Sequence, residues 1–177
     1  YYIDQKDSAV ALLNRLIANN KVSPTLKAKA KIELGDIYLL KEEPWEATLL
    51  YSQVEKSQRE APLGYEAKLR NAKLSYYKGE FLLAQEHLDI LKQATSREIA
   101  NDAMELSMRI KENTTFDSTG SALKEFAAIE LLITQNKNEE ALQRLQNFTT
   151  RFDSRSIWDD VYWQEANLLM KRGEFQD

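Results

Sequence analysis

The sequence contains no cysteine, and it has only three prolines, five glycines and one histidine among 177 residues. Without cysteine the chain forms neither disulfides nor thiolate metal sites, and one histidine leaves few combinations for catalysis or metal binding. No apolar run approaches the ~20 residues that a membrane-spanning helix needs. We therefore predict no enzyme activity, no cofactor, no metal, and no membrane insertion within this segment.

Positive charge is not in excess either: 24 Lys and Arg against 28 Asp and Glu give a formal net charge of -4. Nucleic-acid binding depends on clustered Lys and Arg, which release counterions from the phosphate backbone. The densest basic stretch is Lys27, Lys29 and Lys31, which we interpret as the exposed surface of a helix. We predict no nucleic-acid partner, and we place the single histidine, His87, at a solvated or rim position.

The few prolines are informative by position, because Pro24, Pro44 and Pro62 each precede an apolar-periodic run. Proline in the first turn of a helix loses no intrahelical hydrogen bond, so each marks a helix start. Within the runs, apolar residues recur at helical spacing and none shows strand alternation. The predicted helices are 5–19, 24–41, 45–58, 63–78, 81–93, 97–112, 120–135, 138–151 and 156–172.

The helix pairs align with one another. Residues 28–54 align with residues 65–91 at an offset of 37, which places Ala47 on Ala84. Residues 122–148 align in the same register, with Ala141 on Ala84. Residues 159–177 also align, with Gly173 on Gly79. Both glycines stand in a "GEF" sequence, at residues 79–81 and 173–175.

This pattern resembles the tetratricopeptide repeat, a helix pair of about 34 residues with small side chains where its two helices cross. The small residues at its eighth position are Gly35, Ala72 and Ala166; those at its twentieth are Ala47, Ala84 and Ala141; the turn glycines are Gly79 and Gly173. Phe81 and Phe175 fill the slot that Tyr or Phe normally holds. The resemblance, to a divergent bacterial type, implies an all-α, right-handed superhelical solenoid of antiparallel helix pairs with about nine helices.

The chain departs from this pattern in several places. Lys31 and Lys68 replace an aromatic residue, Pro44 replaces the turn aromatic, and Ala141 lies 57 residues after Ala84. We expect one solenoid segment over residues 1–177, an internal fragment of a longer repeat protein. Its parts are a partial repeat 1–20, repeats 24–60 and 62–95, a degenerate helix 97–112 that packs directly against helix 120–135, a repeat 120–152, and a partial repeat 156–177. We also expect an apolar patch on the final helix, formed by Trp163, Leu168 and Leu169.

The resemblance also implies a binding surface, because particular positions of the first helix of each pair line the concave face in this family. These positions are Lys29, Ile32, Asp36, Leu39, Leu40, Glu66, Leu69, Lys73, Tyr76, Tyr77, Leu123, Phe126, Glu130, Ile133, Thr134, Asp160, Trp163, Asn167, Met170 and Lys171. The alternative for each residue is packing against the next helix pair. A binding groove requires Tyr76, Tyr77, Phe126 and Trp163 to stay exposed on one connected surface.

The resulting functional hypothesis is a non-catalytic protein–protein interaction scaffold that binds a peptide or protein partner on its concave face. Ile32 and Asp36 replace the Lys and Asn with which some family members clamp a chaperone tail, so that partner is disfavoured. The alternative is a structural spacer or assembly segment of a larger multidomain protein whose activity lies elsewhere. A third hypothesis is self-association through exposed solenoid ends. The compartment, bacterial cytoplasm or periplasm and cell envelope, is left open.

Overall fold

A computed structural model describes residues 3–93, 96–115 and 119–173, and 82% of these described residues are helical. Within these ranges there are ten α-helices, one 3-10 turn at Arg155–Ile157, and no strand. The helices are α1 Ile3–Ala18, α2 Pro24–Leu40, α3 Pro44–Ser57, α4 Pro62–Tyr77, α5 Phe81–Leu91, α6 Arg97–Thr114, α7 Ser121–Thr134, α8 Asn138–Gln146, α9 Phe148–Arg151 and α10 Trp158–Arg172. The all-α prediction is confirmed.

The helix starts follow the prolines. Pro24, Pro44 and Pro62 are the first residues of α2, α3 and α4, and Ser23 Oγ caps α2 by accepting a hydrogen bond from the Leu26 amide at 3.3 Å. The predicted helix 138–151 is in fact two helices, α8 and α9. They separate at Asn147, whose side-chain amide donates to the Gln143 carbonyl at 2.8 Å and so competes with the backbone ladder.

Three helix pairs, α2–α3, α4–α5 and α7–α8, are hairpins that share one turn geometry. The turn residue has positive φ in each, at 66° for Glu42, 74° for Gly79 and 61° for Asn136. The next amide donates to the carbonyl five residues earlier at 2.9 Å, in the pairs Glu43 to Tyr38, Glu80 to Ser75 and Lys137 to Leu132. This is the Schellman arrangement, in which the left-handed residue lets the chain satisfy the last helical carbonyls. Gly173, after α10, has φ 75° as well.

The small residues of the register lie at tight contacts. Ala47, Ala84 and Ala141 are all 0% exposed. At Gly35 a Cβ atom would stand 2.4 Å from Cε1 of Tyr51, so α2 and α3 approach more closely than any side chain would permit. Ala166, by contrast, is exposed on α10. The close approach of paired helices therefore depends on these positions, as their spacing predicted.

The helices do not follow a simple sequential stack throughout. α2, α3, α4 and α5 each pack on the next helix, and α6 packs on α5 more extensively than on α7, so the predicted partner of α6 is only partly right. α7 also contacts α4. At its end, the Gln135 side chain donates to the Leu39 carbonyl at 3.2 Å and Lys137 pairs with Glu42 at 2.7 Å. The first and third hairpins therefore touch directly through their turns.

The final helix exposes aromatic surface, but not all of the predicted patch. Trp163 is 67% exposed, with Tyr162 and Met170 beside it, whereas Leu168 is 2% exposed and Leu169 packs against the core. Leu168 is buried because this face of α10 packs against the core that α7 and α8 also form. Phe175, which completes the second "GEF", lies outside the described residues. None of the described helices is both long and apolar enough to span a bilayer.

Candidate functional site

The predicted concave residues do not form one exposed surface. Ile32, Leu39, Leu69, Tyr76, Leu123 and Phe126 are buried; Lys29, Thr134, Trp163, Met170 and Lys171 are exposed; Asp36, Leu40, Glu66, Lys73, Tyr77, Glu130, Ile133, Asp160 and Asn167 lie between. Tyr76 is 1% exposed and Phe126 is 0% exposed, so their expected exposure is wrong. Both belong to the core cluster in which α4, α6 and α7 meet. Contact of α7 with α4 and α6 removes these rings from water.

Predicted residues of α2 and α4 do meet, in a groove of about 550 Å³ that we call the inner groove. Six of them line it: Asp36, Leu39, Glu66, Leu69, Lys73 and Tyr77. Thr134 at the end of α7 lines it as well, and Ile99 and Asp102 contribute from the start of α6. The inner groove therefore lies where α2, α4 and α6 come together.

Ion pairs order the side chains of the inner groove. Arg70 Nε lies 3.0 Å from Asp36 Oδ1 and its Nη1 lies 2.8 Å from Glu66 Oε1, so this guanidinium links α2 to α4. Tyr51 donates its hydroxyl hydrogen to Asp36, and burial raises the pKa of that hydroxyl. Lys73 and Asp102 make a looser contact at 3.5 Å with side chains 43% and 46% exposed. This last pair is the most exposed ion pair of the groove wall.

Three predicted residues of α7 and α10, Phe126, Glu130 and Asp160, surround a residue that the sequence did not single out, Arg109 of α6. Its guanidinium lies 3.1 Å from Glu130 of α7 and 3.3 Å from Asp160 of α10, and it faces the Phe126 ring with its central carbon 5.9 Å from the centroid. Burial raises the pKa of Glu130, although Arg109 acts in the opposite direction. The Tyr76 hydroxyl is buried near Glu130 and Arg109 without a hydrogen bond of acceptable geometry, and burial raises its pKa. This arrangement joins helices and leaves little room for a ligand.

The repeat pattern did not indicate Arg109, because α6 lies outside the repeat register. A signal was present: Asp102, Glu105 and Arg109 follow one another at spacings of three and four, which puts a charged stripe on one face of α6. Arg109 contacts Glu105 at 3.5 Å along this stripe. The stripe faces the inner groove at one end and the Arg109 cluster at the other.

A second and larger concavity, of about 1060 Å³, lies on the opposite side of α4, and we call it the outer groove. Its walls are α3 and α5, its floor is α4, and none of the predicted site residues lines it. The sequence indicates this groove only through apolar residues that lie off the buried faces of their helices. Trp45, Leu83 and Ile90 are such residues, with 75%, 44% and 54% of their surface exposed. His87 lines its wall, and burial together with nearby Lys68 lowers the pKa of the imidazole.

Among the described residues, no group of three or more His, Cys, Asp or Glu side chains is arranged to hold a metal ion. Comparison with known proteins gives no further assignment: no family model matches the chain, and neither does any curated protein or solved structure. The function is therefore inferred from the geometry of the two grooves.

Proposed function

We propose that the protein is a non-catalytic protein–protein interaction scaffold that binds a peptide segment of a partner in the inner groove. The proposal includes a divergent tetratricopeptide-like solenoid, supported by the shared hairpin turns and the buried small residues. The observation that carries it is the meeting of seven predicted positions, six on α2 and α4 and one on α7, in one groove. Clefts of this size with apolar and polar walls are the usual binding sites of proteins.

The charge of the inner groove indicates the chemistry of the segment. Its acidic residues are Asp36, Glu66, Glu98 and Asp102, and its basic residues are Arg70 and Lys73. Acidic groups are therefore in excess at the wall, beside the apolar surfaces of Leu39 and Leu69. Complementary charge across an interface favours association and fixes the register of the partner. A segment with a Lys or Arg next to an apolar residue fits this surface best.

The test uses a random phage-displayed library of 12-residue peptides, selected on the immobilised full chain. Synthetic versions of the enriched peptides are then measured by fluorescence anisotropy against the wild type, Asp102→Lys and Glu33→Lys. Asp102 lies in the groove wall, whereas Glu33 is an exposed residue of α2 outside both grooves. We expect Asp102→Lys to weaken binding about tenfold or more, as truncation of a central contact commonly does, and Glu33→Lys to leave it unchanged.

Equal affinities of every enriched peptide for the two charge-reversal variants, or a selection in which no enriched peptide contains Lys or Arg, would show that the inner groove is not a binding site. Circular dichroism of both variants checks that the helices persist. Since Asp102 is nearly half exposed, its replacement is not expected to unfold the chain.

A spacer or assembly segment is the second candidate, and the burial of Tyr76 and Phe126 favours it. Two aromatic positions that the interaction hypothesis needed on the surface instead hold α4, α6 and α7 together. Under this hypothesis the selection yields no peptide with a Kd below about 100 µM, an affinity of roughly 5 to 6 kcal/mol.

A further inference from the structure

We propose that the outer groove is a second binding site, one that takes an extended, uncharged peptide segment with an apolar residue at each end. This site is separate from the inner groove, because the two lie on opposite sides of α4 and share only Leu74 among their lining residues. The inference therefore stands or falls independently of the function proposed above.

The first observation is an unsatisfied amide on the floor of the outer groove. Asn71 is only 6% exposed, and its Nδ2 donates to Ser52 Oγ and to Glu55 Oε2, each at 3.3 Å. Its Oδ1 has no hydrogen-bond partner. A buried acceptor of this kind is unfavourable unless a donor reaches it, and a peptide N–H is such a donor. Ser52 on α3 and His87 on α5 also line this groove.

The second observation is the distribution of apolar side chains along the groove. Trp45 and Leu83 lie near the C-terminal end of α4, where Lys78 covers the Trp45 ring at 4.3 Å from its centroid. Tyr65 and Ile90 lie near the N-terminal end of α4. The stretch of α4 between these ends, from Tyr65 to Lys78, spans about 20 Å at ~1.5 Å per residue. An extended segment of about six residues covers that distance at ~3.3 Å per residue.

The third observation is the balance of charge. The lining contains Lys56, Arg59, Lys68 and Lys78 against Glu55, Glu60 and Glu80, and Lys68 is already paired with Glu55. The lowered pKa of His87 keeps its imidazole neutral at pH 7. A phosphate or a strongly charged peptide would therefore gain little here. The exposed apolar ends and the central amide instead suit a neutral segment that presents backbone N–H groups.

The experiment uses the same 12-residue library, selected on the full chain, with the enriched peptides synthesised as probes. Leu83→Glu and Leu82→Glu form a matched pair: both are exposed leucines of α5, but only Leu83 lines the groove. We expect at least one class of enriched peptides to carry two apolar residues about six positions apart. For this class, Leu83→Glu weakens binding at least tenfold, whereas Leu82→Glu changes it less than twofold.

The amide of Asn71 supplies a second readout. In ¹⁵N–¹H spectra of the wild-type chain, its side-chain resonances shift on addition of the probe peptide, and Asn71→Leu weakens binding. Asn71→Leu also removes a hydrogen-bond donor to Glu55. If Asn71→Leu folds poorly for this reason, the comparison of Leu83→Glu with Leu82→Glu tests the site instead.

Two results overturn the inference: no enriched class with paired apolar residues, or equal effects of Leu82→Glu and Leu83→Glu. If every peptide is weakened by Asp102→Lys and none by Leu83→Glu, the outer groove is not a binding site and the inner-groove proposal stands. If every peptide is weakened by Leu83→Glu and none by Asp102→Lys, the outer groove is a binding site and the inner-groove proposal is wrong.

Discussion

Replacing Gly35 by alanine tests the helix contact on which the repeat interpretation depends. Alanine in a helix interior is favoured over glycine by about 1 kcal/mol, so an open position would gain stability. Gly35 is not open: the new Cβ atom would lie 2.4, 2.9 and 3.0 Å from three carbons of the Tyr51 ring. Tyr51 is 1% exposed and its hydroxyl donates to Asp36, so the ring has little freedom to move.

Overpacking of this kind costs about 1 to 3 kcal/mol, which exceeds the gain in helix propensity. Once that gain is subtracted, we expect Gly35→Ala to lower the free energy of unfolding by up to about 2 kcal/mol, a decrease in Tm of up to roughly 8 °C for a chain of this size. Thermal and urea unfolding, followed by circular dichroism at 222 nm, measure both quantities.

The repeat register supplies the compensating change. Ala72 and Leu88 lie 37 residues after Gly35 and Tyr51, and both are buried in one core cluster, where the register places the equivalent contact between α4 and α5. Tyr51→Leu alone removes buried ring volume and the Asp36 hydrogen bond, at a cost of about 2 to 3 kcal/mol. In the double variant the alanine no longer meets the ring, so we expect the two losses to be less than additive by about 1 kcal/mol or more.

Stabilisation by Gly35→Ala would refute this reasoning, because it would mean that α2 and α3 are farther apart than described. Strictly additive losses in the double variant would refute the equivalence of the two helix pairs.

Two further predictions concern the Arg109 cluster and the hairpin turns. Arg109→Met leaves the carboxylates of Glu130 and Asp160 without their cation, so we expect unfolding to become easier by about 2 to 4 kcal/mol at pH 7. Burial holds the pKa of Glu130 above its unfolded value, so protonation of Glu130 favours the folded state. The loss of unfolding free energy in Arg109→Met should therefore become smaller when urea titrations are repeated from pH 7 towards pH 5. A loss that does not change with pH would contradict this. At the turns, Gly79→Ala should cost about 1 kcal/mol because φ is 74°. Gly79→Asn should cost less, since Asn136 already adopts this geometry, and equal thermal unfolding of the two variants would count against it.

The sequence was sufficient for the helices because their signals are local. Proline at the first turn and apolar periodicity act within one or two turns of the chain, and the observed boundaries of α2, α3 and α4 lie within one residue of the predicted ones. The turn at Asn136 was also predictable, because Asn136 lies five residues before Ala141 just as Gly79 lies five residues before Ala84.

The burial of Tyr76 and Phe126 could not be predicted in the same way. It depends on α7 packing across α4 and α6, which are separated from it by an irregular interval in the repeat. Family positions identified the inner groove where the repeats are regular, at α2 and α4. At α7 and α10 the family positions are divided between the core, the contacts of Arg109 and the surface, and Arg109 belongs to the helix outside the register.

The contact between the first and third hairpin turns has a consequence for cooperativity. In a linear array of repeats each unit contacts only its neighbours, so unfolding can proceed one unit at a time. Here Glu42 and Lys137, and Leu39 and Gln135, fasten together segments about a hundred positions apart, and the hairpin between them cannot separate without breaking those links. We therefore expect the chain from α2 to α8 to unfold as one cooperative unit. Backbone amide hydrogens of the first and third hairpins should then exchange with deuterium at matching rates.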